Sequence, residues 1–153
     1  MKLNPFLQCA ACQVSYGIRL GSMPDGKMKW YISNKSLSGY ENCGTIGFDY
    51  EFRSGYYLKD GKKTRFDGTT RQCYLPNNPQ GQEVFKLLIE CFKRRHSFTI
   101  GRSLTNNMDN QVVWSGIHHK TSKHGGQFGY PDATYLDRVT DEIKGREITS
   151  EDV

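Results

Sequence analysis

The sequence predicts a single α+β domain with a mainly antiparallel sheet and two principal helices. Its 153 residues suit one ordinary domain. Several short segments have the alternating or continuous apolar pattern of strands, and two longer segments repeat apolar residues at the spacing of one helical face. Because strands and helices do not alternate strictly along the chain, a parallel α/β sheet is not expected.

Three strands are predicted in the first half of the chain, at 28–32, 45–52 and 69–75. Residues 45–52 give the clearest pattern, because large apolar side chains at every second position alternate with glycine and acidic residues. The stretch 53–68 is polar and is interrupted by glycines, so it predicts a loop.

The first helix is predicted to begin after Asn78, which can cap it, with Pro79 at the first helical position. Basic residues at 93–95 mark its end, where the helix dipole favours cations. The apolar residues on its buried face are Val84, Leu87, Leu88, Cys91 and Phe92.

Two more strands, at 97–100 and 111–117, and a second helix, at 133–144, are predicted in the second half. Asp132 is the candidate cap of this helix and Gly145 its candidate C-terminal glycine. Its apolar stripe consists of Leu136, Val139 and Ile143.

Net charge and hydropathy bear on three expectations: an anionic partner, a membrane span and a secretory signal. The net charge of +5, from 21 basic and 16 acidic residues, is weak support for an anionic partner. Its densest clusters, at 59–65 and 93–96, are explained by a solvated loop and a helix C-terminus. No run of about eighteen apolar residues predicts a membrane span, and the N-terminus lacks the apolar stretch of a secretory signal.

The five cysteines, an odd number without a signal peptide, favour a reducing compartment and hence the cytoplasm or the nucleus. Cys9 and Cys12 form a CxxC pair, which supplies two of the four ligands of a tetrahedral zinc site. A redox pair or two inert thiols are the alternatives. Cys43, Cys73 and Cys91 are expected to be buried small hydrophobes.

Candidate chemistry is concentrated at 101–131, which holds His118, His119 and His124, and where 121–129 predicts a mobile, glycine-rich loop. A histidine beside a carboxylate can act as a general acid or base near neutral pH. The alternative is that the adjacent histidines only pack and bond to the backbone.

The second predicted helix offers such a carboxylate. Tyr135 and Glu142 are seven residues apart and therefore share one helical face, from which Glu142 could meet a histidine of the preceding strand. The alternative is a solvated Glu142. Trp114 is expected either in the core or as a wall of a ligand pocket.

Several stretches occur in an order that is known from one family: LQCAACQVSYGIRLG, RQCYLPNNPQGQEVFKLL, FTIG, DNQVVWSGIHHKT and GYPDATYLDRVTDEI. The chain resembles the C-terminal domain of the Deltex proteins, which are RING-type E3 ubiquitin ligases. The resemblance implies that 1–20 is the C-terminal remnant of a RING zinc domain and that 21–153 forms the Deltex C-terminal domain.

The resemblance implies that Cys9 and Cys12 belong to an incomplete RING site. Zinc, and a ubiquitin-charged E2 as partner, are therefore expected only where the rest of the RING is present, and the chain alone should not transfer ubiquitin. The family also has an association with Notch signalling.

The resemblance further implies a groove that binds ADP-ribose or NAD as a ligand, with no tightly bound cofactor, so that ubiquitin can be joined to an ADP-ribose hydroxyl or an ADP-ribosylated protein. His118 is the implied ligand contact and Glu142 the implied catalytic carboxylate, with His118 beside it. Gly129 and Tyr130 are implied to border the groove, and Trp114 is a further candidate contact.

Two positions depart from the family pattern. Phe128 stands where several members carry a histidine before GYP, and a phenyl ring cannot accept a proton. Leu104 stands in place of a small serine and could narrow the groove, in which case Ser103 or Thr105 would supply the hydroxyl.

Two other functions stay open. The departures at these two positions would suit a protein-interaction module that kept the fold and lost the nucleotide. A basic nucleic-acid-binding domain would use Lys62, Lys63, Arg65 and the cluster at 93–95. Nucleic-acid 3′ ends resemble the family ligand, so this function and ADP-ribose binding could overlap.

Overall fold

The computed structural model describes residues 20–153, which form an α+β arrangement of antiparallel strands and two helices, as predicted. The strands are β1 (Lys27–Ser33), β2 (Thr45–Phe52), β3 (Gly55–Lys59), β4 (Lys62–Phe66), β5 (Thr69–Pro76), β6 (Phe98–Gly101) and β7 (Gln111–Trp114). The helices are α1 (Pro79–Lys93) and α2 (Tyr135–Lys144), followed by a 3₁₀ turn at Ser150–Asp152. Neither helix of this described part has the length and apolar content that a membrane crossing requires.

The main sheet has three antiparallel strands in the order β1-β2-β5, and β2 lies at its centre. The alternation in β2 places its large side chains on one face, which α1 covers. Phe85 of α1 lies 5.2 Å from Phe48, and Phe92 lies 5.5 Å from Tyr50, measured between ring centroids. Helix α1 also packs against α2 and β5, so that one core joins the sheet and both helices.

Helix α1 begins as the sequence predicts. The Asn78 side chain accepts a hydrogen bond of 2.7 Å from the Gly81 backbone N–H, and Pro79 occupies the first turn. Gly81 lies so close to β5 that a Cβ atom there would sit 1.8 Å from the Pro76 carbonyl oxygen. The start of α1 is therefore fixed by a cap on one side and by a backbone contact on the other.

The prediction of a loop at 53–68 is wrong, because this stretch forms the hairpin β3–β4. Lys59 pairs with Lys62 across a two-residue connection, in which Asp60 and Gly61 have φ of 52° and 77°. Positive φ at both residues is typical of the tight turn that joins two twisted strands. Asp60-Gly61 was thus a hairpin signal, which the polar composition of the strands masked.

Helix α2 ends at Lys144 as predicted, whereas its start and the conformation of Gly145 differ from the prediction. The helix begins at Tyr135 after Thr134, with no side-chain cap, because the Asp132 carboxylate is occupied by two ion pairs. Gly145 has φ −60°, so it continues the right-handed turn and is not a left-handed C-terminal glycine. The apolar stripe of the helix is buried as predicted, at Leu136, Val139 and Ile143.

The cysteines of the described part carry free thiols. Cys73 and Cys91 are buried as predicted, and burial raises the pKa of Cys91 to about 12. Cys43 is only partly buried, which differs from the prediction. The predicted zinc ligands Cys9 and Cys12 lie outside the described residues.

We expect Gly81→Ala to destabilise the domain, although alanine normally favours a helix interior by up to about 1 kcal/mol over glycine. The new methyl group would collide with the Pro76 carbonyl oxygen, and overpacking of this kind costs about 1–3 kcal/mol. Urea unfolding measures the loss. Gly101→Ala is the control, because its Cβ would lie 3.6 Å from Val113 and collides with nothing. Equal stability of Gly81→Ala and the wild type would contradict the packing described here.

Candidate functional site

The candidate site is built on the segment that leaves β7. The strand ends at Trp114, three residues earlier than predicted, and Gly116 with φ 90° turns the chain toward α2. Ile117 then returns to the core, with 1% of its surface exposed. His118 follows it on the outside, where 72% of its side chain is exposed.

Helix α2 holds His118 through three hydrogen bonds. Glu142 accepts one from the His118 backbone N–H (2.8 Å, Oε1) and shares a second with the imidazole Nδ1 (2.7 Å, Oε2). The Tyr135 hydroxyl donates a third, of 2.8 Å, to the His118 carbonyl oxygen. Tyr135 and Glu142 are two turns apart on one helical face, as the sequence predicts, and they clamp the same residue.

This clamp assigns the tautomer of His118. Both Glu142 oxygens accept, so the network places the imidazole proton on Nδ1 and leaves Nε2 as a hydrogen-bond acceptor. Nε2 has no hydrogen-bond partner among residues 20–153. The pair is thus an oriented imidazole with a carboxylate behind it and an open basic nitrogen in front, an arrangement that can accept a proton from a bound hydroxyl group.

His119 has the opposite environment. Its Nε2 accepts from the Tyr50 hydroxyl at 2.8 Å, and its Nδ1 lies 2.9 Å from the Ile117 carbonyl oxygen. Trp114 stacks on its ring at 4.5 Å. Burial lowers the pKa of His119 to about 4, so the ring is neutral at physiological pH. Of the two adjacent histidines, His119 therefore has a structural role in the core, and His118 has an open position at the surface.

Trp114 is half-buried and stands between two rings. It stacks on Phe98 at 4.4 Å as well as on His119, so its faces are covered and only its edge can meet a ligand. Its burial and stacking therefore fit the expected position in the core better than a position in the wall of a ligand pocket. A role for Trp114 in ligand binding stays a prediction.

Lys120 anchors the loop that follows it. Its side chain is 5% exposed, and its Nζ forms an ion pair of 2.8 Å with Asp132 and donates to the Gln127 carbonyl oxygen. Arg138 donates to both Asp132 oxygens, and Arg138 and Lys120 together hold the pKa of the Asp132 carboxyl well below its usual range. Sequence reasoning missed this cluster, because nothing in the sequence pairs Lys120 with Asp132, which was expected to cap a helix.

The glycine-rich stretch 121–129 lies between β7 and α2, as predicted, and is folded on itself. Gly125 donates to the Tyr130 carbonyl oxygen at 2.7 Å, and Ser122 donates to the Phe128 carbonyl oxygen at 2.9 Å. His124 reaches Ser38 at 2.6 Å and so joins the loop to the segment before β2.

The GYP residues have unequal access to a ligand. A Cβ atom at Gly129 would lie 2.1 Å from the Gly125 carbonyl oxygen, so no larger residue fits there. Tyr130 is fully buried and donates its hydroxyl to the Tyr74 carbonyl oxygen at 2.8 Å. A contact from Tyr130 to a ligand would therefore come from its backbone. Phe128 is exposed by 55%.

Ser103, Leu104 and Thr105 lie in the loop between β6 and β7. This loop lies at the end of the β6–β7 hairpin where Gly101 pairs with Gln111. His118 follows the opposite end of that hairpin, so the structure does not bring the loop residues into contact with His118. Leu104 is 98% exposed, and its isobutyl group fills no space within the domain. The Ser103 hydroxyl accepts from the Thr105 N–H at 3.3 Å.

The basic cluster at 93–95 is used inside the fold. Arg94 pairs with Glu90 at 2.8 Å and with Asp152 at 3.2 Å. Arg95 pairs with Asp25 and donates to the Met23 carbonyl oxygen. These arginines tie the segments at both ends of the described chain to α1, whereas Lys93 of the same cluster is exposed.

Among residues 20–153, no three His, Cys, Asp or Glu side chains come together as metal ligands. The groups described above are thus organised for hydrogen bonding, with one imidazole held open at the surface by a helix.

The comparisons with known proteins agree with this architecture. The family described as Deltex C-terminal domain matches residues 20–148. The chain is 41% identical over 150 residues to E3 ubiquitin-protein ligase DTX1 of Homo sapiens, a match that covers 94% of this chain and 24% of that protein. It is 39% identical over 152 residues to E3 ubiquitin-protein ligase DTX4 of Mus musculus, which covers 95% of this chain and 24% of the relative.

A third relative is the probable E3 ubiquitin-protein ligase DTX3 of Homo sapiens, 40% identical over 151 residues, with 94% of this chain and 43% of that protein covered. The chain therefore spans less than half the length of the relatives it matches. The fold is that of an α+β domain found in E3 ubiquitin ligases. The chain belongs to the Deltex C-terminal domain family, and the resemblance seen in its sequence is confirmed.

We expect the buried His119 to make the domain sensitive to acid. Its folded pKa of about 4 lies below the ordinary value of 6.5, so the unfolded chain binds a proton first and stability falls as pH drops from 6.5 toward 4. The loss from this group between pH 7 and pH 5 is about 2 kcal/mol. Urea unfolding at the two pH values measures it.

His119→Gln should remove this component of the pH dependence, whatever its own effect on stability at pH 7. The control is His124→Gln, because His124 lies at the surface. A His119→Gln domain that loses as much stability between pH 7 and pH 5 as the wild type would show that His119 is not the titrating group.

Proposed function

We propose that this domain binds ADP-ribose, or the ADP-ribosyl part of NAD, beside His118 and Glu142. The observation that supports the proposal is the clamp on His118, which orients an exposed imidazole with its acceptor nitrogen free. A structural histidine needs no such exposure, as the neighbouring His119 demonstrates with only 6% of its surface exposed. Membership of the Deltex C-terminal domain family is consistent with a nucleotide-sugar ligand.

We further propose that the bound hydroxyl receives ubiquitin. The ribose hydroxyl oxygen attacks the thioester carbon of the E2-bound ubiquitin C-terminus, a C–O bond forms, and the C–S bond to the E2 cysteine breaks. His118 Nε2 takes the hydroxyl proton, and Glu142 stabilises the positive charge that forms on the imidazole. The proton then passes to the departing thiolate or to solvent.

In this proposal Glu142 acts through His118. Both of its oxygens are already hydrogen-bonded to that residue, so the carboxylate sets the position and tautomer of the ring. His118 is then the group that touches the reacting hydroxyl. This division of roles differs from the one that the family resemblance implies, in which Glu142 meets the hydroxyl directly.

The exposure of Leu104 and Phe128 bears on the alternative of a module that lost its nucleotide. Neither side chain is packed into the domain, since 98% and 55% of their surfaces are exposed. Leu104 lies at the other end of the β6–β7 hairpin from His118, and the exposed Phe128 ring is not part of the buried core, which favours retained binding over a blocked groove.

Ubiquitin transfer would also require a RING domain that binds the ubiquitin-charged E2. The zinc of that RING would take no part in the reaction at His118. ADP-ribose, NAD and an ADP-ribosylated protein share the group that the site would hold. All three are therefore candidate substrates of a longer protein that contains this domain.

We expect ADP-ribose to bind the domain in isothermal titration calorimetry and His118→Ala to weaken binding by about tenfold or more, because the variant loses a hydrogen bond to the ligand of about 1.5 kcal/mol. Asp141→Asn is the matched control, since Asp141 is an exposed carboxylate beside Glu142 on α2. The absence of heat at millimolar ADP-ribose would refute the proposed site.

The double variant Leu104→Ser/Phe128→His distinguishes ADP-ribose binding from the alternative of an interaction module that lost the nucleotide. The measurement is the same calorimetric titration. Similar affinities of the double variant and the wild type are expected, because both native side chains project into solvent. A wild type that does not bind, beside a double variant that does, would show that the two departures abolished the ligand site.

We expect Glu142→Gln to reduce ubiquitin transfer to ADP-ribose much more than ADP-ribose affinity. The amide can still accept from the His118 backbone but no longer stabilises an imidazolium, and loss of such assistance costs about 10²–10⁴-fold in kcat. The measurement is the formation of ubiquitin–ADP-ribose with E1, charged E2 and a RING. Asp141→Asn should leave the rate unchanged, and a Glu142→Gln rate close to that of the wild type would contradict the role given to Glu142.

A further inference from the structure

The exposed face of the β3–β4 hairpin combines apolar and basic side chains. Tyr56 and Leu58 alternate along β3 and are exposed by 58% and 75%. In the antiparallel register Arg65 lies opposite Tyr56, and Lys63 lies opposite Leu58, so these residues share the face. Lys63 Nζ also lies 4.7 Å from the centre of the Tyr56 ring. We call these four residues the hairpin face.

The other side of the hairpin is fixed to the domain. The Tyr57 hydroxyl donates to the Asn110 side chain at 2.7 Å, and its ring meets the buried Phe66 ring at 6.1 Å. Beyond β4, Asp67 bridges to Gln111 at the start of β7. The exposed apolar groups are therefore presented by an anchored hairpin, and their exposure is a property of the folded domain.

A cavity of about 1010 Å³ lies beside β3. Its walls include Lys27, Phe52, Arg53, Tyr56, Tyr57 and Phe66. Its lining includes residues of the first half of β3 and of the start of β1. In the described part of the chain β3 pairs only with β4, which leaves the backbone groups of the outer edge of β3 available to another strand.

The charges around the cavity are not balanced. Arg95 is neutralised by Asp25, and Glu51 by Lys29. Lys27 and Arg53 line the same cavity, are exposed, and form no ion pair with any residue of 20–153.

We propose that the outer edge of β3, together with the hairpin face, binds an extended acidic segment of a partner protein that carries apolar side chains. The free strand edge provides backbone hydrogen bonds for an added strand. The unpaired cations Lys27, Arg53 and Lys63 select negative charge, and Leu58 with Tyr56 provides contacts for apolar side chains. Single-stranded nucleic acid fits less well, because neither the aliphatic Leu58 nor a strand edge matches its backbone or bases.

The proposal is tested with a fluorescein-labelled peptide of four Glu-Val repeats, titrated with the whole chain and followed by fluorescence anisotropy. We expect this peptide to bind, and peptides of Lys-Val or Glu-Ser repeats to bind at least about tenfold more weakly, because each lacks one of the two recognised features. The variants Lys63→Glu/Arg65→Glu and Tyr56→Thr/Leu58→Thr should each reduce the affinity by about tenfold or more.

Lys86→Glu/Lys144→Glu is the charge-matched control, because it changes two exposed lysines on α1 and α2 by the same total charge. It should bind the peptide as the wild type does, and so should His118→Ala. Three results would overturn the proposal: no binding of the Glu-Val peptide by the wild type, an equal loss in the control pair, or tighter binding of labelled oligothymidylate that depends on the same hairpin residues.

Discussion

The aromatic core around Tyr50 is the constraint on which the rest of the structure depends. Tyr50 lies at the centre of β2 with no exposed surface. Its ring meets Phe98 of β6 at 5.0 Å and Phe92 of α1 at 5.5 Å. Its hydroxyl binds His119 at 2.8 Å. One residue thus joins the sheet, a helix, the β6–β7 hairpin and the segment that carries the candidate site.

This core decides which of two adjacent histidines reaches solvent. Successive side chains of an extended segment point in opposite directions, so the inward positions of Ile117 and His119 force His118 outward. Glu142 and Tyr135 then hold the outward residue from α2. The site is therefore precise without being buried, because its positioning groups bind the backbone of His118 as well as its ring.

The domain separates two kinds of surface. The His118–Glu142 pair lies at the junction of β7 and α2, where it suits a small ligand with a hydroxyl group. The β3–β4 hairpin carries unpaired cations and exposed apolar groups, which suit a polypeptide. Under the two proposals made above, a longer protein that contains this domain would hold a modified protein at two points.

The amino-acid sequence was enough to predict the fold class, the family and the local elements whose signals lie within a few residues. Asn78 and Pro79 defined the start of α1, and the alternation at 45–52 defined β2. The seven-residue spacing of Tyr135 and Glu142 predicted that both lie on one helical face, from which Glu142 could meet a histidine of the preceding strand. In the structure both contact His118. Such signals can be found because caps, turns and periodic faces depend on nearby residues alone.

The partners of charged and aromatic side chains in distant segments could be assigned only from the packing of the folded chain. Asp132 was predicted to cap a helix, yet it binds Lys120 and Arg138, because a buried lysine needs a carboxylate more than an exposed helix end does. Likewise, the sequence could not show which of the two adjacent histidines, His118 or His119, is buried in the core. Burial and ion pairing are properties of the packed chain, and they assign roles that local spacing leaves open.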